Sequence, residues 1–81
     1  MIYKIKMKEG DNMFIITEKT PEGAIIEGAK TETNNISDIK DIVLNITNDE
    51  KEANWAVKTA DDMWFGDSYE RVAYRLECRK A

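Results

Sequence analysis

The chain has 81 residues, with 12 Lys and Arg against 16 Asp and Glu, a net charge of −4, one cysteine and no histidine. That length means a single domain, residues 1–81, hiding only roughly 60–65% of the surface its unfolded form exposes. The charge balance speaks against a general nucleic-acid binder. The lone Cys78 excludes a disulfide framework and fits a reducing compartment, and the missing histidine removes the commonest general base and metal ligand. No apolar run approaches 18 residues and no charged segment leads into an apolar one, so the expectation is a cytoplasmic protein that does not span a membrane.

In chain order, IYKIKMK (2–8) alternates, with Tyr3, Ile5 and Met7 on one face and Lys4, Lys6 and Lys8 on the other, the period of a half-buried strand. EGDN (9–12) reads as a turn and MFIIT (13–17) as a second strand, together an N-terminal hairpin. TPEGAIIEGAK (20–30) starts like a helix at Thr20-Pro21, but Gly23 and Gly28 each cost about 1 kcal/mol relative to Ala inside one. A turn leading into a third strand is the preferred reading. ISDIKDIVLNIT (36–47) stays open: Ile36, Ile39, Val43 and Ile46 are spaced for a helix, whereas Ile42, Leu44 and Ile46 alternate as in a strand.

Thr47-Asn-Asp-Glu50 has the form of a capping box, with Asp49, Glu50 and Glu52 in the first turns where the helix dipole favours acids. Ala53, Ala56, Val57, Ala60 and Trp64 follow at helical spacing, and Gly66 suits a left-handed C-cap. One long helix over about 48–65 is expected, with Trp64 as its core anchor. In SYERVAYRLECRK, Val72, Tyr74, Leu76 and Cys78 alternate with charged residues, which predicts a final strand; a helix capped by Asp67 is the rival. The predicted class is α+β, an antiparallel sheet of the N-terminal hairpin, the C-terminal strand and a third strand, packed against that helix.

The stretch DDMWFGDSYE (61–70) carries four carboxylates, Asp61, Asp62, Asp67 and Glu70, with no basic residue among them. At a helix C-terminus each acid is unfavourable by roughly 0.3–1 kcal/mol, so Asp61 and Asp62 break a local rule without visible structural gain. Either Arg71 or Arg75 folds back to pair with the acids, or they serve a partner. Trp55 lies roughly 200° around the helix from Ala53, near Lys51, Lys58, Thr59 and Asp62. It is either covered by the middle segment or an apolar anchor for a basic partner, Trp being the residue most enriched at interface hot spots.

Catalytic and metal signatures are missing. There is no triad histidine, no zinc spacing and no phosphate-binding glycine loop, and the acidic run lacks the alternating ligands of a calcium loop. A non-enzymatic protein without cofactor or metal is expected. A second site is conceivable on the basic residues: Lys4, Lys6 and Lys8 on one strand and Arg71, Arg75 and Arg79 on another would track a phosphate backbone if the strands were neighbours. The alternative is that these lysines only keep an exposed strand from edge pairing.

The segment NDEKEANWAVKTADDMWFGDSYERVAYRLEC resembles the C-terminal half of small, mostly uncharacterised phage and prophage proteins of Firmicutes, through Ala53, Trp55, Ala56, Ala60, Gly66 and Tyr69. The chain departs from that pattern by inserting Asp61-Asp62-Met63-Trp64-Phe65 before the glycine. Some small acidic phage proteins inhibit host systems, anti-CRISPR proteins among them. The resemblance therefore implies a protein that binds and inhibits a host macromolecule, such as a defence component with a basic surface. In that reading Asp61, Asp62, Asp67 and Glu70 supply charge and Trp55 the anchor. The alternatives are a nucleic-acid-binding regulator and a small-molecule-binding module that forms a homodimer.

Overall fold

A computed structural model describes residues 12–80. They form an α+β arrangement: β1 (Asn12–Lys19), β2 (Ile25–Thr33), α1 (Ile36–Thr47), α2 (Glu50–Asp62), β3 (Ser68–Glu70) and β4 (Tyr74–Lys80). The four strands make one antiparallel sheet in the order β2-β1-β4-β3. The first strand of the expected N-terminal hairpin (2–8) lies outside the described residues. Its expected partner, β1, is bonded to β2 on one side and β4 on the other. The third strand is present as β2. Its turn closes where Gly23 N–H donates to Thr20 O at 2.8 Å, with Pro21 supplying the fixed φ the second position needs.

The helix expected over 48–65 is present but shorter, as α2, and a second helix, α1, precedes it. In the open middle segment the helical spacing wins, and Ile39 and Val43 are fully buried. Asn48 stops α1 by adopting φ 51, ψ 31, a left-handed conformation that Asn tolerates, and its N–H donates to Leu44 O. The capping box is not used as expected. Thr47 closes α1, its hydroxyl donating to Val43 O, and Asp49 is the N-cap of α2, its side chain accepting from Lys51 N–H.

The other end of α2 also differs. The helix stops at Asp62, Met63 is extended with ψ 144, and Met63 takes the fully buried position expected of Trp64. Trp64 is half-buried, outside the helix. Gly66 is therefore not a C-cap. It sits in the following turn at φ 93, donating its N–H to Cys78 O at 2.8 Å. Asp67 fixes this exit, its carboxylate accepting from Trp64 N–H at 2.7 Å.

The final strand is split as well. Tyr74, Leu76 and Cys78 face the helices and are buried as expected, but Val72 is 72% exposed. The chain reverses at 71–73, so the single strand expected in SYERVAYRLECRK (68–80) is in fact two antiparallel strands and their link.

The core lies between one face of the sheet (Phe14, Ile16, Tyr74, Leu76, Cys78) and the helices (Ile39, Val43, Ala53, Ala56, Ala60), closed below by Met63. Three buried alanines let α2 approach closely. Burying Met63 contributes about 1.5–3 kcal/mol, enough to offset two acids in the last turn at roughly 0.3–1 kcal/mol each. The opposite face of the sheet carries an ion-pair ladder in which Glu70 lies 3.5 Å from Lys19 and 3.8 Å from Arg75, and Glu77 lies 3.5 Å from Arg75 and 3.1 Å from Arg79. Replacing Met63 with Ala should cost about 2–5 kcal/mol, as truncation of a buried methionine does. Urea unfolding followed by circular dichroism measures it.

Candidate functional site

The pairing of Glu18 with Tyr74, and of Lys19 N–H with Ala73 O at 2.7 Å, brings the β1–β2 turn and the β3–β4 link to the same end of the sheet. The α1–α2 junction joins them there. Between the three opens a cleft of about 850 Å³, with Glu52, Arg71 and Tyr74 in its wall.

Within this wall Arg71 reaches across to α2. Its Nε donates to Glu52 Oε2 at 3.1 Å and an Nη donates to Glu52 Oε1, a two-pronged pairing. The guanidinium carbon lies 4.2 Å from the centre of the Trp55 ring, a cation–π contact. Tyr69 stands edge-on to the same indole, with ring centroids 6.4 Å apart and planes at 85°. The fully buried Tyr74 sends its hydroxyl to Glu52 Oε2 at 3.4 Å. Hydrogen bonding to Glu52 holds the Arg71 guanidinium above its ordinary pKa. The pair is partly open to water, so its net worth is about 0.2–1 kcal/mol, and the cation–π contact adds about 0.5–1 kcal/mol.

The residues singled out in sequence are not all brought together. Asp61 and Asp62 are exposed at the end of α2, where the last turn holds no basic residue. Asp67 is half-buried in the exit turn, and Glu70 lies on the other face of the sheet between Lys19 and Arg75. Trp55 is half-buried, with Arg71 over one face of its ring. Of the basic residues, Lys4, Lys6 and Lys8 lie outside the described residues. Arg71 is on the helix side, while Arg75 and Arg79 are on the outer face beside Glu77, so the three arginines form no shared stripe. The expected fold-back of an arginine onto the acids of the 61–70 stretch is met at Glu70, which pairs with Arg75 at 3.8 Å, while Arg71 pairs instead with Glu52.

Two functional candidates were missed. Phe65 is 55% exposed, three residues beyond Asp62. Its signal was the Met-Trp-Phe run: one buried slot below α2 cannot take all three side chains. Glu52 was read only as a first-turn acid, and nothing local marks an arginine 19 residues away as its partner.

No family model, curated protein or solved structure matches this chain. Geometry alone therefore speaks to chemistry. Among the described residues no three Asp, Glu or Cys side chains gather as metal ligands would, and no helix is long and apolar enough to cross a membrane. The Cys78 thiol is buried, with its pKa pushed up by desolvation and by the charge of Asp67, which suppresses the thiolate.

Tyr74 gives a pH signature. Burial above all, and then the Glu52 charge, penalise its phenolate and raise its pKa. An unfolded tyrosine loses its proton near pH 10, while the native one keeps it to higher pH. Above that point the native state binds more protons than the unfolded state, so this contribution to stability is constant below about pH 10 and is lost as pH rises beyond it. Tyr74→Phe should therefore gain on wild type as pH goes from 9 to 11, in urea midpoints measured in parallel.

Proposed function

We propose that the chain is a non-enzymatic accessory protein of phage or mobile-element type that binds a basic surface on a host protein and blocks it. The observation that carries this reading is the end of α2. Two exposed acids, Asp61 and Asp62, lie in the last turn of α2, and an exposed aromatic, Phe65, follows on the same segment. Each acid is disfavoured there by the helix dipole, whereas a cationic partner surface would turn that cost into attraction. Phe65 supplies the apolar contact first assigned to Trp55, because a large exposed aromatic rimmed by charge has the anatomy of an interface hot spot.

The resemblance of Ala53, Trp55, Ala56, Ala60, Gly66 and Tyr69 to small phage proteins supports the biological setting, and inhibition of a host defence component is the role that setting suggests. Nucleic acid is the less favoured partner: the outer-face arginines Arg75 and Arg79 already face Glu70 and Glu77, and a phosphate would have to displace those carboxylates.

Immobilised wild type, Asp61→Lys/Asp62→Lys and Phe65→Ser should be compared for capture from a bacterial lysate at low and moderate salt. Wild type should retain a basic protein that both variants lose. The double variant should melt at the same or higher temperature, because two cations now complement the dipole by about 0.3–1 kcal/mol each. A lower melting temperature for the double variant, or nucleic acid held equally by all three, contradicts the proposal.

A further inference from the structure

The Arg71 contact has the features of a receptor as much as of a staple. Glu52 presents both oxygens to one guanidinium fork, Trp55 supplies a flat π face 4.2 Å from the guanidinium carbon, and Tyr69 walls the indole edge-on. Tyr74, fully buried, braces Glu52 from the sheet side. A planar guanidinium meets both carboxylate oxygens with paired N–H donors while lying flat on the indole, a geometry that the compact ammonium does not reproduce.

The residue that fills this arrangement is carried on a short link. Arg71 begins the link 71–73 between β3 and β4, whose backbone is tied by Lys19 N–H to Ala73 O at 2.7 Å and by Arg71 N–H to Tyr74 O at 2.8 Å, so the part free to swing out is the Arg71 side chain. Water already reaches the pair, the Arg71 side chain being 38% and that of Glu52 26% exposed. The cleft of about 850 Å³ borders both residues and offers an approach from solvent. Trp55 and Asp62 are seven positions apart, two turns of α2, so the same helix face leads from this arrangement toward the acidic end.

We infer that Glu52, Trp55, Tyr69 and Tyr74 form a guanidinium-binding site that Arg71 occupies in cis and that an arginine side chain of a basic protein partner occupies in trans. The trans half rests on the basic-partner reading above; the site itself does not. Binding a partner would then exchange one arginine for another, displacing the Arg71 side chain while the acids at the end of α2 meet the surrounding positive charge.

The test uses the full chain and two variants that vacate the site: Arg71→Ala, and Arg71→Met, which keeps the packed aliphatic stem should the alanine variant fail to fold. Each is titrated with methylguanidinium and, at matched ionic strength, with methylammonium, while the Trp55 indole and Tyr69 ring signals are followed by NMR. The expected result is saturable shifts with methylguanidinium, absent with methylammonium and lost when Glu52→Gln is added. Acetyl-Gly-Arg-Gly-amide should bind the vacated variants in the same way. Wild type should respond about tenfold or more weakly, because its site is open only in the fraction of molecules whose Arg71 side chain has swung out.

Unsaturable shifts shared by both cations would overturn the inference and leave Arg71 as an internal staple. A wild type that responds as strongly as the variants would also overturn it, since Arg71 would then not be the occupant. No partner enters the titration, so its failure is read separately from a failed lysate capture.

Discussion

A single guanidinium fastens the β3–β4 hairpin to α2 beyond the shared core. Arg71, carried on the link between β3 and β4, is held by Glu52 of α2 and lies over Trp55 of the same helix. The three-residue β3 is an edge strand whose only strand neighbour among the described residues is β4, and that contact adds a tie to α2. With it, the hairpin is fastened to the helix, Tyr69 is brought against Trp55, and the cleft gains a charged wall. Its strength is modest because water reaches it, and that suits a contact meant to exchange as well as one meant to hold.

The distribution of the remaining charge follows from the same geometry. The arginines of β4 are neutralised within the sheet by Glu70 and Glu77, and Arg71 is neutralised by Glu52. Asp61 and Asp62 stay exposed on the helix end. The fold supplies the reason: Met63 plugs the core just beyond Asp62, so the helix is stopped there and its unfavourable acids are retained at little net cost in stability.

Much of the fold could be read from periodicity. The alternation of Tyr74, Leu76 and Cys78, the alanine face of α2 and the spacing of Ile36, Ile39, Val43 and Ile46 all survive in three dimensions because each reflects one buried face. What failed were boundaries decided by single atoms or by distant neighbours. Thr47 and Asp49 are both good N-caps, and only the left-handed turn at Asn48 shows which one serves α2. Trp64 looked like the core anchor because it is the largest residue on the alanine face. The capture of its N–H by Asp67 ends that pattern one residue earlier, and Met63 goes in. The reversal at 71–73 was concealed by an unbroken alternation of charge and apolarity, so Val72 was placed inside although it lies on the rim. Of the candidate site, the exposed acid pair was legible from the dipole rule alone. The arginine receptor was not, because its members come from α2, β3 and β4 and no local rule links them.

The most direct test of the central contact is the proton NMR spectrum of the Arg71 side chain in the wild-type chain. A guanidinium stacked over an indole must carry ring-current shifts on its δ-methylene protons. These should lie well upfield of their unstructured values and return to them in Trp55→Leu, with a slowly exchanging Nε–H visible while Glu52 is intact. Arg71 δ-proton shifts at unstructured values in wild type, unchanged by loss of Trp55, would contradict the account.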